Sequence, residues 1–458
     1  MAAHDDSLWD PSKSSVFSGF YKLTLEERRR RVAAVLGLSA EEAGALTGEQ
    51  GLTDEVANAM VENALGRFSL PLGLGLHLKV NGRDYVVPMV IEEPSVIAAV
   101  SFAAKLVAGV GGFQAEADEA LMIGQLQVAR YGDPWQAVER LHAAKEELLT
   151  LARGFLPHLT QRGGGMRELE VRVLPAPEGP EHEPLLVVHL VVDTLEAMGA
   201  NLVNTLAENM APHVERITGG RVYLRILSNL ADRRLARARC ALPEAVLEDF
   251  GLPGEDIAEG IVQASRFAQA DPYRAATHNK GVMNGIDAVA IATGQDWRAI
   301  EAGAHAYAAR AGQYGPLSRW KRDGGVLWGE LELPLALGTV GGPLKVHPGV
   351  QVALRVLGSP KARELACVFA AVGLAQNLAA LRALGSVGIQ KGHMALHARS
   401  VAVSAGARPE AVEALAALLV TEGEVRVERA QEFLTEERVA VGAGEAPTLA
   451  SLKPPGGE

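Results

Sequence analysis

Cysteine is almost absent from the chain, which has only Cys240 and Cys367 among 458 residues. Two cysteines cannot build a disulfide framework, so we expect a reducing compartment and two thiols that pack as small apolar side chains. The polar, acidic residues 1–15 lack the apolar core of a signal peptide. No stretch approaches the roughly 18 apolar residues that a membrane span needs. These absences predict a cytoplasmic protein with no membrane association.

Positive charge is also scarce. The chain has 44 Lys and Arg against 55 Asp and Glu, a formal net charge of -11 at pH 7. Proteins that bind nucleic acids are usually basic, so we expect no nucleic-acid partner. An anionic ligand would need a local site built from a few Arg or Lys side chains. The remaining composition, 48% apolar and 22% charged, is typical of a globular protein.

Two common nucleotide-binding signatures are missing. No Gly-x-Gly-x-x-Gly motif follows a predicted strand, and no P-loop motif occurs. The glycine-rich run at 163–165 could let a backbone approach a phosphate, but it is more typical of a flexible turn. The sequence therefore predicts neither a Rossmann nor a P-loop nucleotide site.

The order of predicted elements suggests a domain inserted into another. Strands are predicted at 121–129, 169–173, 185–192 and 221–227, with helices at 135–151 and 197–216. Strand–helix–strand–strand–helix–strand is the ferredoxin-like order. We therefore predict a small domain at 120–228 and a large domain from residues 1–119 plus 229–388.

The flanking regions are predicted to be mainly helical. Helices are expected at 25–36, 40–46, 53–63, 95–110, 296–309 and 362–384. Asn81-Gly82 between two apolar runs predicts a β-hairpin. Residues 385–390 are a candidate hinge, and 389–458 are predicted to form a C-terminal helical flap and tail.

Several candidate site residues have ordinary structural explanations when taken singly. Glu93 before Pro94 suits a helix start with proline in the first turn, and Asp296 suits a helix N-cap. His393 and His397 are four residues apart, which would place them on one helix face. That spacing occurs in zinc proteases, although their intervening glutamate is missing here. A metal-dependent hydrolase using these two histidines is therefore a weaker alternative.

Taken together, seven segments resemble the 3-hydroxy-3-methylglutaryl-coenzyme A reductases, specifically the soluble bacterial class II form. The resemblance covers about residues 17–433. The segments are Glu62-Asn63, Glu92-Glu93-Pro94-Ser95, Ala197-Met198-Gly199-Ala200-Asn201, Ile226-Leu227-Ser228-Asn229-Leu230-Ala231-Asp232, residues 271–281 (DPYRAATHNKG), Thr293-Gly294-Gln295-Asp296-Trp297 and Gly392-His393-Met394-Ala395-Leu396-His397.

The resemblance implies both a fold and a reaction. The fold would be α+β: a mixed helical and sheet large domain, an inserted ferredoxin-like, non-Rossmann nicotinamide-binding domain, and a mobile C-terminal helical segment. The reaction would interconvert hydroxymethylglutaryl-CoA and mevalonate plus CoA by two hydride transfers with NADH or NADPH, without a metal. The family assembles as a homodimer, or a higher assembly of dimers, with sites across the subunit interface.

The resemblance also implies a catalytic set of Glu93, Lys280, Asp296 and His393. A buried ammonium at Lys280 would stabilise the oxyanion formed by hydride attack. Glu93 would supply protons if burial raises its pKa, and Asp296 would hold the Lys280–Glu93 pair in place. His393 would protonate the CoA thiolate. A non-catalytic acyl-CoA-binding relative is the further alternative, disfavoured because all four residues are present.

Ligand contacts are implied in the same way. Ser95, Arg274 and Asn284 would hold the substrate's carboxylate and hydroxyl, with Asn229 and Gln376 as additional contacts. Arginine suits a carboxylate because its fork gives two parallel hydrogen bonds. The implied nicotinamide contacts are Glu196, Met198, Gly199, Asn201 and Leu156.

Leu156 bears on the choice between NADH and NADPH. NADH-selective relatives can place an acidic residue there to bind the ribose 2′-hydroxyl. This chain has Leu156 instead, with Arg153, His158 and Arg162 nearby. A 2′-phosphate is therefore not repelled, and the choice of cofactor stays open.

Overall fold

The structure, a computed structural model, describes residues 17, 19–47, 51–249, 251–386, 389–408 and 410–441, except the side chains of 343, 389–396 and 436–441. The helices are α1 Leu25–Leu36, α2 Ala40–Thr47, α3 Asp54–Met60, α4 Val96–Ala108, α5 Pro134–Ala143, α6 Lys145–Phe155, α7 Pro157–Gln161, α8 Ala200–Thr218, α9 Gly254–Ala270, α10 Pro272–Ala292, α11 Trp297–Ala308, α12 Pro348–Val356, α13 Ala362–Leu384, α14 Ile389–Ser404, α15 Val412–Glu422 and α16 Val427–Val441. The strands are β1 Leu72–Val80, β2 Arg83–Val90, β3 Gln114–Ala117, β4 Leu121–Ala129, β5 Gly165–Leu174, β6 Leu185–Asp193, β7 Arg221–Leu227, β8 Leu235–Pro243, β9 Ser318–Asp323 and β10 Val326–Pro334.

The strands form a hairpin and two four-stranded sheets. The predicted hairpin is confirmed: β1 pairs antiparallel with β2, and Val80 lies opposite Arg83 across the Asn81-Gly82 turn. One sheet has the order β3-β8-β10-β9, and the other has the order β5-β6-β4-β7. Every pairing within the two sheets is antiparallel. An antiparallel sheet can leave one face to solvent, and β10 alternates buried and more exposed residues in this way, whereas β6 is buried along almost its whole length.

The second sheet contains the strand–helix–strand–strand–helix–strand order predicted for residues 120–228. Its apolar face packs with α5, α6 and α8 around the small core, defined here by Leu126, Leu190 and Leu206 and their buried neighbours. The single helix predicted over 135–151 is wrong. The chain breaks at Ala144 into α5 and α6, and Pro157, which cannot continue a helix, begins α7.

A second group of buried residues, the large core, lies between the other sheet and helices α4, α9, α10 and α13. Phe113 and Phe369 are fully buried there. Helix α13 is long and apolar enough to cross a membrane, so the expectation that no stretch approaches that length is wrong. Most of α13 is nevertheless buried inside the protein, as in the core helix of a globular fold.

The C-terminal helices α14, α15 and α16 pack on one another around Ala402 and Leu419. At the preceding junction, the end of α13 is closely packed: a Cβ on Gly260 of α9 would lie 2.3 Å from the carbonyl oxygen of Gly385. Residue 385 is therefore held by a backbone contact. Residues 387 and 388, in the middle of the predicted hinge, lie outside the described residues.

Candidate active site

The first contact of the site joins Glu93 and Lys280, which lie 187 residues apart in sequence. Lys280 Nζ on α10 donates to Glu93 Oε2, in the connection between β2 and α4, over 2.6 Å. The Lys280 side chain is 59% exposed and that of Glu93 is 44% exposed. The expected pairing is therefore present, but the expected burial of the ammonium is wrong for a single chain.

Ser95 next to this pair has an unusual backbone. Its φ of 78° and ψ of -19° are left-handed, a conformation uncommon for residues other than glycine. It occupies the N-cap of α4 without a capping side-chain bond, so Pro94 precedes the cap and the prediction of proline in the first helical turn is wrong. Such strain is concentrated at functional sites, which supports Ser95 as a ligand contact.

Helix α10 carries two further predicted substrate contacts. Asp271 caps its start by accepting from the backbone N–H of Tyr273 and of Arg274, each over 3.3 Å. The Arg274 guanidinium is half-buried, and burial lowers its pKa. No described residue accepts a hydrogen bond from it, so its fork is available to an anion. Asn284 lies one helical turn after Lys280, on the same face.

Gln376 on α13 lies beside these residues of α10. A Cβ on Gly285 would lie 3.0 Å from Gln376 Cβ, which places Gln376 against the α10 residue after Asn284. Gln376 is 6% exposed, and its Oε1 has no hydrogen-bond partner among the described residues. Leaving a buried acceptor unpaired costs free energy, so a donor from a bound ligand would stabilise it.

Two predicted residues lie apart from the pair. Asn229 is exposed after β7, and its carbonyl oxygen lies against Gly303 of α11. Asp296 Oδ1 accepts from the backbone N–H of Ala299 over 3.1 Å, which makes it the N-cap of α11. In the described residues no hydrogen bond joins Asp296 to Lys280 or Glu93, so the expectation that it holds them is wrong within one chain.

The predicted nicotinamide loop lies between β6 and α8. Gly199 has a φ of 108°, and a Cβ there would lie 2.5 Å from Thr194 Cγ2, so only glycine fits. It precedes the first turn of α8, where free backbone N–H groups suit a phosphate. Met198 is half-buried, and Asn201 is exposed in that first turn.

Arg234, which no sequence motif singles out, anchors this loop. It is 5% exposed and donates to Thr194 Oγ1, to the carbonyls of Ala197 and Met198, each over 3.2 Å, and to the carbonyl of Leu337. Burial lowers its pKa to about 10. Its position two residues after the Ile226–Asp232 segment is the one sequence signal that could have indicated it.

One carboxylate oxygen of Glu196 is held within the protein. Its Oε2 accepts from the backbone N–H of Ala362 over 2.8 Å and from Thr339 Oγ1 over 3.0 Å. Ala362 is the first residue of α13, so this oxygen satisfies a helix N-terminus. Glu196 therefore links the loop to the large core through Oε2, and its expected contact with the cofactor stays a prediction.

The expected contact of Leu156 is corrected. Its side chain is 7% exposed and packs in the small core, so it does not face a ribose. Arg153, His158 and Arg162 on either side are exposed. No ion pair in the described part of the chain involves these three side chains. They remain the basic groups available to a 2′-phosphate.

His278 is a second residue whose role the sequence did not reveal, although it lies within the α10 segment. It is fully buried, and its Nε2 is 2.6 Å from Ser318 Oγ. Burial and the neighbouring Arg274 lower its pKa to about 4, so it is neutral at physiological pH. This network ties α10 to β9 beneath Arg274.

The remaining predicted residue, His393, lies on α14, but its side chain is outside the described residues. His397 is exposed. Among the residues that the structure describes, no group of three His, Cys, Asp or Glu side chains could hold a metal ion. The metal-dependent hydrolase therefore gains no support from the described part of the chain.

Comparisons with known proteins agree on one family. The family model for hydroxymethylglutaryl-coenzyme A reductase matches residues 24–398. The 3-hydroxy-3-methylglutaryl-coenzyme A reductase of Archaeoglobus fulgidus is 49% identical over 426 residues, 93% of this chain and 95% of that protein.

Two structures of the Streptococcus pneumoniae enzyme are also similar. One has a TM-score of 0.78 and 44% identity, over 92% of this chain and 100% of that one. The class II reductase bound to NADPH in open conformations has a TM-score of 0.77 and 45% identity, over 81% of this chain and 100% of that one. Sequence and structure together show that the chain belongs to the hydroxymethylglutaryl-coenzyme A reductase family.

Proposed function

We propose that this protein reduces hydroxymethylglutaryl-CoA to mevalonate and CoA by two successive hydride transfers from NADH or NADPH. The observation that carries the proposal is the 2.6 Å contact between Lys280 and Glu93. Lys280 shares α10 with Arg274, whose guanidinium has no hydrogen-bond acceptor among the described residues. The NADPH-bound Streptococcus pneumoniae relative supports the nicotinamide as the hydride source.

The residues divide the chemistry between them. Hydride attack on the thioester carbon places negative charge on its oxygen, and the Lys280 ammonium stabilises that charge. Glu93, which accepts a hydrogen bond from Lys280, supplies the proton that the oxygen takes up after it has itself been protonated. His393 protonates the departing CoA thiolate, because histidine titrates near neutral pH.

Substrate binding relies on polar groups of α10, α13 and the start of α4. Arg274 binds the free carboxylate of the substrate through its fork. Ser95 and Asn284 contact the carboxylate and hydroxyl, and Gln376 Oε1 accepts a hydrogen bond from the ligand. Asn229 extends the same binding surface.

The nicotinamide binds on the sheet that contains β5, β6, β4 and β7, which we assign as an inserted ferredoxin-like domain at 120–228. Met198, Gly199 and Asn201 lie along the cofactor, with its phosphates at the start of α8. We assign residues 1–119 and 229–388 to the large substrate and dimerisation domain, and the helices α14, α15 and α16 to the C-terminal flap. A cytoplasmic location accords with the scarcity of cysteine.

A second subunit completes the site. The last residue of α10, Ala292, is twelve residues after Lys280, which at about 1.5 Å per residue is about 18 Å along the axis, and Asp296 lies beyond it. We therefore propose that Asp296 of one subunit contacts the Lys280–Glu93 pair of the other subunit in a homodimer. The partner would also cover the exposed ammonium, which strengthens its interaction with an oxyanion by excluding water.

Mixed dimers test this arrangement. Lys280→Ala and Asp296→Ala are each expected to be inactive, whereas a dimer containing one subunit of each kind would retain one intact site. Activity should therefore return when the two variants are co-expressed. If each subunit supplied both residues to its own site, the mixed dimers would stay inactive.

The basic test is nicotinamide absorbance with hydroxymethylglutaryl-CoA and either cofactor. Lys280→Ala should lower turnover by about 10²–10³ or more, the usual effect of losing an oxyanion-stabilising group. Lys321→Ala, which removes an exposed lysine from β9, is the matched control and should be normal. Substrate binding without any absorbance change in the native protein would instead indicate a non-catalytic acyl-CoA-binding relative.

A further inference from the structure

Five polar side chains connect α10 to α11 and to the loop after it, and the mechanism above uses none of them. They are Asn279, Asp287, Glu301, His305 and Tyr314, called here the junction network. His305 Nε2 is 2.6 Å from Glu301 Oε2, and His305 Nδ1 is 2.7 Å from the Tyr314 hydroxyl. Asn279 Nδ2 donates to the same hydroxyl over 2.9 Å. Asp287 lies within electrostatic reach of Glu301, because burial and Glu301 together raise the pKa of the Asp287 carboxyl.

The donors and acceptors fix the direction of these bonds. Because the Asn279 amide nitrogen can only donate, the Tyr314 oxygen accepts from it and the Tyr314 proton is free for His305 Nδ1. His305 then carries its own proton on Nε2 and donates to Glu301. Two anions here would repel each other, and burial and Glu301 raise the pKa of Asp287, so the pair holds one proton between them at neutral pH. The donated bonds therefore converge on Glu301.

Asn279 connects this network to the reacting centre. It is fully buried. Its Nδ2 also donates to the Gly315 carbonyl over 2.9 Å, and its Oδ1 accepts from the Leu317 backbone N–H over 2.9 Å. These bonds fix the turn of α10 at residue 279, and the next residue is Lys280. A shift of this turn would move the ammonium relative to the thioester oxygen.

We propose that Glu301 is a positioning residue of the reductase, acting through His305 and Tyr314 to fix Asn279 and thereby the adjoining Lys280. The inference rests on the proposed function, since it needs Lys280 to be the oxyanion-stabilising group. Small displacements of a catalytic group are costly because the stabilisation depends on donor distance.

The shared proton makes the arrangement sensitive to alkali. Burial and Glu301 raise the pKa of Asp287 to about 9. Helix α11 contributes Glu301 and His305 to this junction, and the following loop contributes Tyr314. The other described elements packed on α10, namely β2, α4, α9, α12 and α13, contribute no charged group to that shift. As the pH rises through about 9, the second carboxylate forms, the pair repels and turnover should fall.

The first experiment compares two tyrosines. Tyr314→Phe removes the hydroxyl that joins His305 to Asn279, whereas Tyr307→Phe removes a hydroxyl on α11 that donates instead to Glu332. Tyr314→Phe should lower kcat by about three- to tenfold, the effect that one neutral hydrogen bond supports, with KM for hydroxymethylglutaryl-CoA unchanged. Tyr307→Phe should keep the native kcat. Equal kcat values in the two folded variants would overturn the proposal.

The second experiment uses the pH profile. Asp287→Asn replaces the shared proton with a permanent amide donor, so it should keep kcat near neutral pH and lose the part of the alkaline fall that is centred at about pH 9. Glu301→Gln should lose kcat as Tyr314→Phe does. An alkaline fall in Asp287→Asn identical to that of the native enzyme would contradict the proposal. If Glu301→Gln does not fold, the comparison of Tyr314→Phe with Tyr307→Phe still tests the proposal.

Lys280→Ala is measured in parallel to separate the two ideas. Residual turnover close to native in Lys280→Ala would remove the proposed function itself. An inactive Lys280→Ala together with a normal Tyr314→Phe would leave that function standing and overturn only the positioning role of Glu301.

Discussion

Replacing Leu156 with Asp should damage the small core and should not retune cofactor choice. Leu156 lies between α6 and α7, and its side chain is 7% exposed and packs among the apolar residues of the small core. Truncating a buried leucine typically costs about 2–5 kcal/mol, and burying a carboxyl among apolar groups adds to that. We therefore expect Leu156→Asp to destabilise the small core by at least about 3 kcal/mol.

The cost should also depend on pH, with a definite sign. Burial raises the pKa of the introduced carboxyl in the folded protein above the value of about 3.9 that it has in the unfolded chain. The folded state then holds the proton more tightly. Destabilisation is therefore least below pH 4 and grows by up to about 1.4 kcal/mol per pH unit until the folded pKa is reached.

Leu156→Asn is the matched control, because it introduces a polar group of similar size that does not titrate. Amide hydrogen exchange in peptides covering residues 145–174 reports local opening of this core directly. Exchange should accelerate in both variants, and it should accelerate further between pH 5 and pH 7, beyond the intrinsic pH effect, only in Leu156→Asp. Native-like protection together with a switch to NADH would refute this reasoning and place residue 156 at the ribose.

Three further outcomes follow from the site. Arg274→Lys should raise KM for hydroxymethylglutaryl-CoA and leave KM for the nicotinamide unchanged, because a point charge cannot reproduce a bidentate fork. Steady-state kinetics with each substrate varied in turn measure both values. An unchanged KM for hydroxymethylglutaryl-CoA would show that its carboxylate binds elsewhere. Gly199→Ala should weaken binding of both nicotinamides, since the added Cβ would lie 2.5 Å from Thr194 Cγ2. Fluorescence titration with NADH and NADPH measures the two affinities. Affinities equal to those of the native protein would show that the loop does not bind the cofactor. Replacing Arg153 and Arg162 with Ala should raise KM for NADPH several-fold and spare NADH, and an equal change for the two cofactors would exclude a 2′-phosphate contact.

The sequence was most informative where one pattern determines local structure. The apolar period of residues 25–36 and the largely apolar segment 362–384 predicted α1 and α13 with the bounds observed. Asn81-Gly82 fixed a hairpin because few dipeptides accept that turn. The family motifs likewise indicated that Glu93 and Lys280 would meet, although nothing in their spacing requires it.

The sequence was least informative about which way a side chain faces. Leu156 ends one helix and precedes another, and only packing of those helices turns it inward. Glu196 is matched by motif to a cofactor loop, yet the start of α13, 166 residues later, takes up its carboxylate. Arg234 and the junction network depend on contacts between distant segments, which no local pattern encodes.

The anchoring of the loop before α8 has a consequence for the order of events in turnover. Two hydrides require two nicotinamides in succession, so the spent cofactor must leave while the half-reduced intermediate stays bound. Arg234 and Glu196 tie that loop to the large core at the Leu337 carbonyl and at the start of α13. The cofactor therefore has to leave and be replaced while this loop keeps its position on the large core. The part of the protein that moves to release the cofactor between the two half-reactions must therefore be the part that covers the site. Each incoming nicotinamide then binds in the same position relative to the intermediate.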